Sequence, residues 1–145
     1  MGSESGLWNT LAPKLRPFGA LHRVENRVEA GMPDLHYILR RKPGARAACG
    51  WLELKYEAAW PAQDDGAVHI KMLTLEQVNW HLDYAALGGR VGTLAQFGRS
   101  YVLLDALLLA RVYKRTVTRA EVIAAAPLYD PTTLPVGRLI RCLTT

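Results

Sequence analysis

The chain has 145 residues, half of them hydrophobic and 21% charged, which suits one globular domain and excludes the charge-rich, apolar-poor composition of a disordered chain. Lys and Arg number 18 against 13 Asp and Glu, a formal charge of +5 that suits a polyanionic partner such as nucleic acid. The longest apolar run, Tyr101 to Val112, is broken by Asp105 and Arg111 and falls well short of the about 20 residues of a membrane-spanning helix. The first residues show no basic segment leading into an apolar one, so a cytoplasmic protein without a secretory signal is expected. Cys49 and Cys142 stand far apart, without CxxC or a nearby His pair, which argues against a disulfide scaffold and against a zinc site.

Taken in chain order, Ser3 is placed to cap a helix over 3 to about 12. Leu7, Trp8, Leu11 and Leu15 lie at helical spacing, and Pro13 is expected to kink or end it. Residues 21–28 alternate loosely and suggest a short strand. Gly31-Met32-Pro33-Asp34 reads as a turn, and residues 35–39 alternate as a strand. A loop over 41–50 leads to a second strand over 51–57, which places Trp51, Glu53, Lys55 and Glu57 on one face and Leu52, Leu54 and Tyr56 on the other. The two strands form a hairpin.

Residues 58–73, with Pro61 and a Gln63-Asp64-Asp65-Gly66 turn, are expected as an exposed, mobile excursion with a short extended piece at Val68 to Met72. Thr74 caps a helix over 75–87, its stripe formed by Leu75, Val78, Leu82, Ala85 and Ala86, and Gly88-Gly89 ends it. Strands are expected over 90–96 and 100–104. Asp105 then caps an apolar helix, Thr118 opens a short helix stopped by Pro127, and the tail is expected to return as a strand over 137–143. The sum is an α/β (α+β) domain over 1–145, with a central mixed sheet flanked by helices, a core at about 3–104 and a helical C-terminal extension over 105–145.

The hairpin brings chemistry together. Asp34 begins one strand, while Glu53 and Lys55 are two apart on the next and share a face. Two carboxylates, with the main-chain carbonyl of Leu54 and waters, make the all-oxygen set that Mg²⁺ prefers. Such an ion would polarise a phosphate and acidify a bound water. Lys55, protonated beside two carboxylates, would hold the attacking water and offset negative charge on the phosphorus. The competing reading is a surface strand carrying solvated charges, since a chance (D/E)xK is expected about once in a chain of this length. What sets this one apart is order: Pro33-Asp34 at a strand start, a turn, Glu53-Leu54-Lys55, then a capped helix.

Glu4 on the first helix, Gly31-Met32-Pro33-Asp34, Glu53-Leu54-Lys55, Leu73-Thr74-Leu75-Glu76-Gln77 and Gly88-Gly89-Arg90-Val91 together resemble the PD-(D/E)xK nuclease superfamily. The likeness covers about Ser3 to Leu104 and is greatest to the VRR-NUC and Holliday-junction-resolvase-like branch often carried by phages. The resemblance implies a restriction-endonuclease-like core and a DNA endonuclease using Mg²⁺, with Mn²⁺ able to substitute. Branched or structured DNA is among its substrates, and a homodimer follows in the resolvase case. It implies Asp34, Glu53, the Leu54 carbonyl and Glu4 as metal ligands, and Asp34, Glu53, Lys55 and Gln77 as the catalytic set.

Two of these residues have competing explanations. Gln77 also stands where a capping box needs it, three residues after Thr74. Glu4 also suits the helix dipole, with Glu25 and Glu29 as rival carboxylate donors. His36, His69 and His81 read as ordinary surface or half-buried histidines. Tyr56 and Trp60 read as packing residues or as stacking partners for a base. Arg40, Arg41, Lys42 and Arg46, and Arg111, Lys114, Arg115 and Arg119, read as solvated faces or as phosphate contacts. The alternative functions are a non-catalytic DNA- or protein-binding module on the same fold, and an unrelated α/β protein whose charges merely face solvent.

Overall fold

The computed structural model describes residues 2–24 and 29–145. Six strands form one mixed sheet: β1 (Gly19–Arg23), β2 (Leu35–Leu39), β3 (Ala48–Glu57), β4 (Val91–Phe97), β5 (Ser100–Leu104) and β6 (Leu128–Asp130), in spatial order β1-β2-β3-β4-β5-β6. Of the described strands, only β3 and β4 run parallel. Parallel neighbours need a crossover, and the helix α2 (Leu75–Ala86) lies within it. The helices α1 (Glu4–Leu15), α3 (Ala106–Tyr113), α4 (Arg119–Ala125) and α5 (Val136–Thr144) complete an α/β fold. None of the described helices is long and apolar enough to cross a membrane.

The two faces of the sheet bury separate cores. On one, α1 and α5 pack Leu7, Leu11, Leu15, Leu139, Ile140 and Leu143 against Tyr37, Leu52, Leu54 and Leu94. On the other, Val78 of α2 and Leu108, Leu109 and Val112 of α3 meet Ala95, Phe97, Val102 and Leu104. β3 therefore alternates strictly, with Leu52 and Leu54 facing α1 and α5 while Glu53 and Lys55 face the α2 side.

Several expectations are corrected. Pro13 lies inside α1, which continues to Leu15, because Leu11, Ala12 and Leu15 are buried and their packing outweighs the lost main-chain bond. β1 begins two residues earlier than the sequence suggests and ends at Arg23. Residues 25–28 of the expected strand lie outside the described residues. Segment 58–73 is not a free excursion, because Val68, Ile70 and Leu73 are buried in the second core and Val68 N–H donates to the Val117 carbonyl at 2.8 Å. The stripe expected on α2 is rotated: Gln77, Val78 and His81 are buried, while Leu75 is exposed. The tail over 137–143 is helix α5, not a strand, since Val136, Leu139, Ile140 and Leu143 follow the 3.6-residue period. The strand in this region is β6, which pairs with β5. Residues 105–145 thus supply both helices and the sixth strand.

One contact ties the last helix to the sheet. Tyr37 on β2 donates its hydroxyl to the Leu143 carbonyl at 2.7 Å, and burial pushes the phenol pKa upward. The ring crosses Gly50, its partner in register on β3, where an added Cβ would collide with the phenol and lie 2.8 Å from Arg90 Cβ. Tyr37→Phe should leave the buried Leu143 carbonyl without this donor and cost about 1 kcal/mol. Thermal denaturation should show a loss of about 3 °C. Gly50→Ala should cost more, because backbone has to move.

Candidate active site

The candidate site forms where β2 begins. β2 and β3 are antiparallel with Leu35 opposite Leu52, and one further step of that register sets Asp34 opposite Glu53. The Val24 N–H donates to the Asp34 carbonyl at 2.8 Å, which holds Asp34 in line with the ladder. Residues directly opposite share a face, with Cβ atoms about 4.5–5.5 Å apart. On the other side of β3, Thr93 pairs with Glu53 and Ala95 with Lys55. Asp34, Glu53, Lys55 and Thr93 therefore line one patch of the α2-facing side, and all four are buried: Asp34 is 9% exposed, Glu53 1%, Lys55 4% and Thr93 0%.

Two local features bring α2 onto this patch. Gly31 has a φ of +84°, and an added Cβ there would collide with the Glu76 carbonyl and lie 2.8 Å from Gln77 N. Glycine alone lets the turn before Asp34 close onto the first turn of α2. The capping box then sets the helix start: Thr74 Oγ1 accepts from Gln77 N–H at 3.2 Å, and Gln77 Oε1 accepts from Thr74 N–H at 3.1 Å. The same amide donates through Nε2 to Glu53 Oε1 at 2.8 Å. Gln77 is both the cap residue and a donor to Glu53, because an amide has an acceptor at one end and donors at the other.

Behind Gln77 lies His81, expected as a surface or half-buried histidine but wholly buried. Its Nδ1 is 2.7 Å from the Gln77 carbonyl. A carbonyl only accepts, so Nδ1 carries the proton, and Nε2 accepts from the Thr93 hydroxyl at 3.0 Å. Burial pushes the His81 pKa down and Lys55 adds to this, while the Gln77 and Gly92 carbonyls oppose. A neutral His81 thus ties the main chain of Gln77 to β4. The helical spacing of Gln77 and His81, four apart and flanking Val78, was the one available signal. Lys55 Nζ donates to the Met72 carbonyl at 3.1 Å, which anchors the ammonium to the segment entering α2.

The remaining candidates are placed differently. Glu4 lies in the first turn of α1, the helix packed on the opposite face of the sheet. Among the described residues no three His, Cys, Asp or Glu gather as a metal-holding group, so Glu4 is not brought together with Asp34 and Glu53. Glu29 is exposed and accepts from Trp80 Nε1 at 3.0 Å. Glu25 lies outside the described residues. The Leu54 side chain is in the α1-side core, which leaves its carbonyl as its only donor to a cation. Trp60 stacks on Phe97 with centroids 4.1 Å apart and bonds Ser100 Oγ, a packing role. The oxygens available here, carboxylate and carbonyl, suit a hard divalent cation better than zinc.

No family model matches the chain, and no curated protein matches it.

Gln77→Glu keeps the cap acceptor but sets a carboxylate against Glu53 in place of a donor. It should destabilise by about 1–3 kcal/mol at neutral pH, and urea denaturation should show the deficit shrinking as the pH falls and the two carboxylates share a proton. His81 is held neutral when folded, so the unfolded chain binds more protons below its ordinary value of 6.5, and stability should fall as the pH drops below that value. His36, also lowered by burial and by His22, contributes with the same sign. His81→Asn, which retains a donor for the Gln77 carbonyl, should flatten the urea-midpoint profile below that pH, and His36→Asn should flatten it further.

Proposed function

We propose that the chain is a divalent-metal-dependent nuclease that hydrolyses phosphodiester bonds in DNA. One observation carries this reading: the β2–β3 register sets Asp34 opposite Glu53 with Lys55 on the same face, all three buried. Burying ionisable groups costs stability that apolar residues of similar size would not. A fold needing only a core would not favour this set. The order of elements supports the reading too, since a helix, an antiparallel hairpin with Asp34 and Glu53-Leu54-Lys55, and a helix with Gln77 before a strand agree with the PD-(D/E)xK resemblance.

In this reading Asp34 and Glu53 would hold a divalent cation, which would supply positive charge to a phosphate oxygen and acidity to a bound water. The Gln77 amide orients the Glu53 carboxylate by one oxygen. Lys55, with one ammonium proton engaged by Met72, keeps two for an attacking water and a phosphate oxygen. His81 and Thr93 act through Gln77 and are positioning residues. Symmetric cutting of a junction would call for two copies about a twofold axis.

The test is incubation with supercoiled, linear, single-stranded and four-way-junction DNA, with Mg²⁺, with Mn²⁺ and with chelator. Cleavage should require the metal. Asp34→Asn and Lys55→Met should each lower turnover by about 10²–10³ while DNA affinity, carried by dispersed basic residues, stays within about tenfold. Folded variants that cut at close to the parental rate would remove these residues from the mechanism. DNA binding without cleavage by the parent would favour the non-catalytic module.

A further inference from the structure

Among the described residues, the α2 side of the sheet is only half covered. Its described packing partners lie over β4 and β5 and reach β3 through Gln77, Met72 and Trp80, while on β1 and β2 the residues of this face are Ala20, His22, His36 and Ile38, in register with one another and with Cys49 and Trp51 of β3. Ile38 is 41% exposed and Cys49 is exposed. Alternation along the strands arranges these residues in ranks about 6.8 Å apart. The rank next to Asp34 and Glu53 is made of rings: His22, His36 and Trp51, with His36 and Trp51 centroids 4.8 Å apart.

α2 extends that rank upward as a wall. Trp51 meets Trp80 edge-on at 5.9 Å, and Trp80 stacks on Tyr84 at 4.8 Å and 16°. The following rank, Ala20, Ile38 and Cys49, opens into a hollow of about 640 Å³ whose rim carries Arg40 and Lys42. Both cations are exposed, as are Arg41 and Arg46 in the same loop. An open face thus runs from the carboxylates over aromatic rings to a basic rim.

We propose that this face is a platform for an unpaired, single-stranded segment of DNA. Its bases stack on Trp51 and the rings beside it, and its phosphates meet Arg40 and Lys42. Rings recognise the flat faces of bases, which neighbours occupy in a duplex and which are free only in single strands, flaps and junction arms. The basic rim matches the charge of the backbone. A protein partner would not need rings and cations in this alternation along the strands, and continuity with Asp34 and Glu53 would lead the strand directly to the proposed chemistry. The proposal rests on the nuclease reading for its choice of polymer, but its test reads binding alone.

Cys49 stands on this face, whereas Cys142 is half-buried and accepts its raised pKa from burial elsewhere. Alkylation of the unsubstituted protein is followed in chelator, where nothing is cut, with a single-stranded oligothymidine of about 12 nucleotides. The oligonucleotide should slow modification of Cys49 by roughly tenfold or more and leave Cys142 unchanged. An abasic strand of equal length and a blunt duplex should protect far less. In fluorescence anisotropy, Trp51→Ala should weaken single-strand binding by roughly tenfold and duplex binding by less than about twofold.

Equal protection by the abasic strand would reduce the face to a phosphate contact and overturn the proposal. So would unprotected Cys49 under saturating single strand. Metal-dependent cutting with Cys49 unprotected would sink this inference and leave the nuclease reading standing. Base-dependent protection without cutting in any metal would do the reverse.

Discussion

The hydrogen bond from Gln77 Nε2 to Glu53 Oε1 joins the crossover helix to the middle of the sheet, and the surrounding structure is arranged to make it possible. Glu53 is almost wholly enclosed, and a carboxylate in that position is costly unless donors reach it. The donor comes from the first turn of α2, whose angle is set by the Thr74 capping box and whose closeness to the Asp34 turn depends on Gly31. His81 and Thr93 then hold the Gln77 main chain from behind. Replacing such a buried polar set by a matched apolar one is often neutral or stabilising, while deleting one member is costly. The set makes sense as apparatus for holding charge rather than as a means of stability.

The division of the sheet between two cores explains where that apparatus sits. Leucines on alternate positions of β3 anchor α1 and α5 on one side, which frees the intervening positions for polar side chains. On the other side the second core begins at Ala95 and continues toward β5 and α3. Asp34 and Glu53 lie at its margin, where α2 stops covering the sheet. Burial there is enough to strengthen electrostatic interactions, and the uncovered strands are one residue pair away.

Much of this was legible in the sequence wherever a period or a cap was local. The alternation over 51–57 placed Glu53 and Lys55 on a common face, Thr74 and Asp105 marked helix starts that the structure contains, and the mixed sheet followed from the order of elements. What was not legible depended on distant packing. The stripe of α2 reads apolar through Leu75 and Leu82, yet its buried side holds Gln77 and His81 because it faces polar residues of β3 and β4. Over 137–143 the apolar positions Leu139, Ile140 and Leu143, set among Arg138 and Arg141, are too few to separate a strand period from a helical one. Pro13 was overridden by burial of its neighbours. Glu4 could be placed only by knowing which face α1 covers.

The position of the ring rank bears on how a substrate would meet the proposed site. α2 and the segment bearing Met72 close over Glu53 and Lys55 from the β4 side, so among the described residues the approach left uncovered is over β1 and β2. A rigid duplex carries its phosphates on the outside of a wide cylinder and meets a shallow face at few points. A single strand is flexible and thin enough to lie along the sheet, one base against Trp51 and the next phosphate toward the carboxylates. The half-buried rings next to the buried acids would therefore favour strands that are already unpaired, through the shape of the approach as much as through stacking itself.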